Sequence, residues 1–163
     1  MKQLLIMRHA KSDWSNSAQS DFERPLNKRG RKTAPVMGQL LKKKNLVPDL
    51  IVSSSALRAG QTALSVAVAC GLGDDKIIET RELYDGYFAE VSDVLRKTDN
   101  NVERLMIVGH NPTWVNLTAH LSGTYTDMKT AEICVLEFPG DDWAQIVKDS
   151  CKLVSKLSAQ KNN

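Results

Sequence analysis

Residues 4–14 read LLIMRHAKSDW, four apolar residues running straight into an arginine and a histidine. An unbroken apolar run of this kind fits a parallel strand covered on both faces. Arg8 and His9 then stand where that strand leaves the sheet, the rim at which open α/β sheets bind ligands. A second stretch has the same form: LMIVGHNP, residues 105–112, ends in His110, Asn111 and Pro112. Between them, SSSALRAGQTA, residues 53–63, follows a short strand-like run from Leu50 to Ser53 and puts Arg58 in the first turn of a helix.

Working outward, strand and helix patterns alternate. The polar segment Ser17–Pro25 reads as a loop. The spacing predicts a helix from Lys28 to Lys44 with Asn27 as N-cap, and Pro35 inside it marks either a kink or the true first turn. Ser55 is a candidate cap for a helix from Ala56 to Cys70, which Gly71 closes. Ile77–Thr80 reads as a strand and Ser92–Lys97 as a helix. Asn111 and Pro112 are expected as N-cap and N1 of a helix ended by Gly123. EICVLEF, residues 132–138, alternates like a strand, and WAQIVKD is a candidate antiparallel edge strand. Repeated strand–helix units imply α/β: a three-layer α/β/α sandwich with a mostly parallel central sheet. One domain over residues 1–156 is expected, with 157–163 a disordered polar tail.

Composition excludes more than it assigns. The chain has 163 residues, 42% hydrophobic and 25% charged, with a net charge of +3. That length carries one well-cored domain, and that charge does not point to nucleic acid. The run Lys42–Lys44 closes a helix, where cations suit the dipole. Cys70, Cys134 and Cys151 form no metal-binding spacing, and their odd number argues against a disulfide framework. Cysteine-based phosphate chemistry would want an arginine six residues on, where Lys76, Gly140 and Leu157 stand. No apolar run is long enough to span a bilayer, and a strand pattern begins too early for a signal peptide. A cytoplasmic monomer without metal or cofactor, and without a membrane or nucleic-acid partner, is expected.

Arg8, His9, Arg58 and His110 are therefore expected at one rim. Taken singly, each has a plainer reading as a surface cap, a solvated helix residue or a turn. Together they form a cluster that repels itself when empty, by about 1 to 4 kcal/mol per pair at 4 Å. A dianion reverses that sign. Arginine forks match phosphate oxygens, and helix N-termini add unpaired N–H groups. The economical ligand is a phosphoryl group. A neutral imidazole is a nucleophile, and an ordinary pKa of about 6.5 leaves much of it neutral at pH 7. His9 would attack phosphorus in line and water would hydrolyse the phosphohistidine. His120, the third histidine, lies within a helix and reads as structural.

These motifs resemble the histidine phosphatase superfamily, with its phosphoglycerate-mutase-like fold, and its small SixA-type phosphohistidine phosphatases in particular. RHAKS resembles the family's Arg-His-Gly signature, SSSALRAGQTA its second-arginine segment and VGHNP its second-histidine segment. DFERPLNKRG resembles the loop and helix entry of small members. The likeness covers about residues 3–138. It implies that His9 is the nucleophile and that Arg8, Arg58 and His110 complete the phosphate pocket. It places Ser15 as a phosphate contact, with Asn111 beside His110. By register it offers Asp85 as general acid, with Glu82 and solvent as alternatives. Ala10 stands for the usual glycine, and Lys11 makes the pocket mouth more basic.

Between Thr62 and Arg104 there is room for one strand and one short helix, so no large cap insertion is expected. An open site suits a phosphorylated protein side chain, such as that of a histidine-phosphotransfer domain, better than a small phosphate ester. A phosphohistidine also needs a proton donor less than an alkyl ester does. The expected function is a metal-independent phosphatase acting through phosphohistidine. The alternatives are a sugar or glycerate phosphatase, a mutase, and a non-catalytic phosphate-binding module.

Overall fold

The computed structural model describes residues 1–159. Leu4, Leu5, Ile6 and Met7 are all 0% exposed, as a doubly covered strand requires. This strand, β1 (Lys2–Arg8), is followed by a 3-10 turn at Asp21–Glu23 and helix α1 (Lys28–Lys43). Then come β2 (Leu50–Ser54), α2 (Leu57–Cys70), β3 (Ile77–Thr80), two short helices α3 (Glu82–Asp85) and α4 (Phe88–Arg96), and β4 (Arg104–Gly109). Helix α5 (Thr113–Ser122), β5 (Ile133–Phe138) and β6 (Lys152–Leu157) complete the order.

The six strands form one sheet in the order β3-β2-β4-β1-β5-β6. The four strands from β3 to β1 are mutually parallel. β5 runs antiparallel to both β1 and β6. One face packs on α1 and α2, where Leu5 and Met7 meet Met37, Leu41 and Val66. The other packs on α4 and α5, where Leu4 and Ile6 meet Leu95, Leu117 and Leu121. Alternating strand residues thus feed two cores, giving the three-layer α/β/α sandwich. Gly38 lets α1 and α2 lie close, since a Cβ there would meet the Val66 carbonyl oxygen at 2.7 Å.

Several local expectations shift. Asn27 caps α1, accepting from the Gly30 amide at 2.8 Å, and Pro35 lies inside a continuous helix. Ser55 does not cap α2. The Ser54 hydroxyl accepts from the Ala56 amide instead, at 3.2 Å. Pro112, not Asn111, occupies the cap position of α5. The edge strand falls later than WAQIVKD. Trp143 is fully buried with its indole donating to the Val102 carbonyl at 2.8 Å, which holds Trp143–Gln145 in a 3-10 turn. The expected tail at 157 also starts too early: Leu157 ends β6 and is 3% exposed, because its side chain completes the core under β5. Residues 160–163 of that tail lie outside the described residues.

Between β3 and β4 stand only α3 and α4, so no cap domain covers the carboxyl end of the sheet. Among the described residues no helix is long and apolar enough to cross a membrane.

Candidate active site

Each motif leaves a neighbouring parallel strand at the same end. Directly after β1, the His9 amide donates to the Gly109 carbonyl at the tip of β4, at 3.0 Å. The Ala10 amide donates to the Thr62 hydroxyl at 3.0 Å, and that hydroxyl donates to the Arg58 carbonyl at 2.8 Å. The backbone carrying the first histidine is thereby tied to both other motifs. Gly109 serves this junction as well, since a Cβ there would strike the Trp114 ring.

Arg58 is the hub. It is 5% exposed. Its Nε donates to His9 Nε2 at 3.3 Å, and its Nη2 to His110 Nδ1 at 3.3 Å. The two imidazole centroids lie 5.1 Å apart. The tautomers follow from the partners. His9 Nδ1 lies 2.7 Å from the Ala10 carbonyl oxygen, which only accepts, so Nδ1 carries the proton and Nε2 keeps its lone pair. His110 accepts from Arg58 on Nδ1, so its Nε2–H donates to the Ser54 hydroxyl at 2.8 Å.

Both imidazoles are neutral. Burial pushes His9 down to about 4; the Ala10 carbonyl opposes this, and the charges of Arg58, Arg8 and Arg24 add to it. Burial likewise lowers His110 to about 3, helped by His9 and Arg58 and opposed by Asp21. Folding therefore expels protons that the unfolded chain binds below its ordinary value of 6.5. Stability contributed this way is complete above about pH 6.5 and is lost as pH falls toward 4. Chemical denaturation at about pH 7 and pH 4.5 is expected to show a loss on the order of a few kcal/mol from the pair. A His110→Gln variant should lose less; an identical loss would reject the assignment.

Arg8, next to His9 in the chain, adds its charge to those that lower the His9 imidazole, after burial. Its Nη1 donates to the Met128 carbonyl at 3.1 Å, which also accepts from Asn111 Nδ2 at 2.9 Å. Arg8 Nε and Asn111 Oδ1 are buried without hydrogen-bond partners. Burial lowers the Arg8 guanidinium, and Asp127 and Glu132 oppose that. Arg8 and Asn111 line a cavity of about 420 Å³ together with the cations Lys11, Arg29 and Lys129 and the carboxylates Asp127 and Glu132.

Two expected residues are not drawn into this network. Asp85 is exposed and accepts from Arg81 Nε at 2.9 Å. Ser15 sits on an exposed loop, its amide donating to Asp13 Oδ1 at 2.7 Å. Phe88 packs edge-on against His120, at 4.6 Å between centroids.

The structure adds residues that the motif reading assigned no role. Asp21 accepts from Arg58 twice, on its backbone oxygen at 2.7 Å and on Oδ2 at 3.0 Å. Oδ2 also accepts from the Tyr84 hydroxyl at 2.8 Å, and Oδ1 from Arg24 Nη2 at 3.0 Å. Burial would raise this carboxyl, but the bonds from Tyr84, Arg24 and Arg58 outweigh it and hold it at about 2. Arg24 bonds Ser12 and stacks on Trp14 at 3.5 Å. The Tyr84 ring meets His110 edge-on at 5.6 Å. The available signal was the Asp-x-x-Arg spacing in DFERP, which lets a carboxylate orient a guanidinium.

Chemically, this is an unprotonated imidazole nitrogen facing one arginine, flanked by a second imidazole and two further arginines. Among the described residues, no group of three or more His, Cys, Asp or Glu is placed to hold a metal ion.

The comparisons place the chain in a family. The histidine phosphatase superfamily (branch 1) matches residues 4–90, a span that holds Arg8, His9 and Arg58. An uncharacterised chloroplastic protein of Arabidopsis thaliana is 30% identical over 152 residues, covering 88% of this chain and 70% of its own. The protein histidine phosphatase SixA, solved with tungstate, has the same fold, with a TM-score of 0.84, 24% identity and 99% of each chain covered. A candidate phosphohistidine phosphatase SixA from Agrobacterium tumefaciens superposes with a TM-score of 0.78 at 26% identity, over 96% of this chain and 97% of that one. With two neutral imidazoles gathered on one buried arginine at the carboxyl rim of this sheet, the chain belongs to the histidine phosphatase superfamily.

Proposed function

We propose that this protein is a metal-independent phosphatase that acts through a phosphohistidine on His9, with a phosphorylated protein side chain, phosphohistidine foremost, as substrate. The observation that carries the reading is the His9 tautomer: Nδ1 is committed to the Ala10 carbonyl at 2.7 Å, which leaves Nε2 unprotonated; its lone pair accepts from Arg58 Nε at 3.3 Å and is freed for phosphorus when Arg58 turns to the phosphoryl oxygens. Family membership supports phosphatase chemistry.

In the first step His9 Nε2 forms a bond to phosphorus as the bond to the leaving group breaks in line. Arg8, Arg58, Arg24 and His110 draw charge from the equatorial oxygens. In the second step water attacks phosphorus, the P–N bond breaks, and the electron pair returns to Nε2 with release of phosphate.

The leaving group decides the substrate class. Asp21 is ionised, with a pKa of about 2, and so carries no proton to donate at neutral pH. Asp85 is paired with Arg81, so acting as the acid would require it to give up that pair; Glu82 and solvent are the other candidates. An alkoxide leaves poorly without a donor. A phosphorylated imidazole, protonated on its own second nitrogen, leaves neutral. The short α3–α4 connection points the same way, since it leaves the carboxyl end of the sheet accessible to a macromolecule. A mutase has to exclude water while it holds its phosphoryl group, and this open rim does not favour that.

The test is a panel run with excess EDTA: phosphohistidine protein, a sugar phosphate and a phosphoglycerate. kcat/KM is expected to be highest for the first by at least about tenfold, or about 1.4 kcal/mol. A preference for either ester, or activity that needs added metal, would overturn the proposal.

A further inference from the structure

Beside Arg58, on the flank away from Arg8, lies a cavity of about 600 Å³ between α2, β3 and the Asp21–Glu23 turn. Phe22, Leu57, Leu64 and Ile77 supply its apolar lining. Leu57 is 42% and Leu64 49% exposed, and Ile78 on the edge strand β3 continues the surface at 51%. Three carboxylates, Glu23, Asp74 and Glu79, stand among the lining residues with no cation among them; the Arg81 guanidinium lies over the Phe22 ring at 4.6 Å. None of the three is in an ion pair among the described residues. The charge is opposite to that of the adjoining phosphate pocket in a chain of net charge +3. Ser55, also in the lining, keeps its hydroxyl buried without a hydrogen-bond partner.

We infer that this groove docks the segment of the substrate protein next to its phosphorylated residue, and that the segment carries apolar side chains flanked by lysine or arginine. The inference rests on the phosphoprotein reading above. The groove lies next to the catalytic cluster without sharing its lining: Asp21, in the turn that carries the lining residues Phe22 and Glu23, bonds Arg58, and Leu57 and Arg58 open the same helix α2. A chain whose phosphoryl group sits at His9 can therefore lay its neighbouring residues here. Apolar side chains bury against Leu57, Leu64 and Ile77, a non-directional gain. Cations meet the unpaired carboxylates at the rim, which sets orientation and specificity more than raw affinity. A second anionic group would be repelled, so the groove also selects against polyanionic small molecules.

The experiment compares phosphohistidine peptides with Lys/Leu flanks and with Glu/Ser flanks, alongside phosphoramidate as a substrate with no flank. An exposed ion pair is worth up to about fivefold, so two pairs plus apolar burial should give the Lys/Leu peptide an advantage of about tenfold or more in kcat/KM. In an Asp74→Lys/Glu79→Lys variant that preference should vanish or reverse, while phosphoramidate turnover stays at the wild-type rate and reports an intact fold. Glu79→Gln should fall between. Equal rates on both peptides in wild type, or an undiminished preference in the double variant, would overturn the groove assignment and leave the phosphoprotein reading standing. Turnover of phosphoramidate with no turnover of either peptide would overturn both.

Discussion

His9→Ala is expected to reduce turnover by about 10⁴-fold or more, because the step that forms the P–N bond is lost along with its nucleophile. The readout that separates this from a loss of folding is covalent. Wild-type protein incubated with a labelled phosphoryl donor should trap an acid-labile, base-stable label, and His9→Ala should trap none. The fold should survive, since the side chain makes one bond to a local carbonyl and one to Arg58, each worth about 1 kcal/mol. The variant should even lose less stability in acid, because a buried neutral imidazole has been removed. Equal labelling of the two proteins would end the assignment of His9 as nucleophile.

Arg58→Ala is expected to lower kcat/KM by about 10³-fold, since a single preorganised donor to a developing oxyanion is worth about 10²–10³ and Arg58 offers more than one. It should also change the pH profile. The Arg58 charge holds both imidazole pKa values down. Without it, and with water admitted to the space it filled, both rise. The acid limb of kcat/KM then moves to higher pH. Arg58→Lys keeps the charge but not the planar fork, so it should restore much of the pH profile while remaining at least about tenfold short in rate. An Arg58→Ala enzyme within threefold of wild type, or one with an unmoved acid limb, would rule out this role.

Much of the architecture was legible because it rests on local rules. LLIM and LMIV are apolar without alternation, the pattern of strands buried on both faces. Asn27, Gly71 and Gly123 mark helix ends through caps that a few neighbouring residues decide. The misplacements lie where a bond that the local pattern does not encode decides the backbone. Ser55, Asn111 and WAQIVKD each look right in isolation; the first is displaced by a local bond, from the Ala56 amide to the Ser54 hydroxyl, and the other two by tertiary partners, the Met128 carbonyl for Asn111 and the Val102 carbonyl for Trp143. Leu157 stands among polar neighbours, the composition of a tail, yet it closes a core.

By itself, then, the chain order of residues established the two-sided sheet, the alternation of strands and helices and which motifs follow a strand, since strand polarity and the position of a motif after its strand follow from periodicity and connection rules. Which atom faces which was decided only in three dimensions. The tautomer of His9 depends on a carbonyl orientation, the neutrality of both imidazoles on burial by parts of the chain up to 101 residues apart in the numbering from His9 to His110, and the Asp21–Arg58 pairing on a loop folding back over a helix start. Hydrogen-bond direction and desolvation are properties of packed neighbours, and no periodicity in a linear chain encodes them.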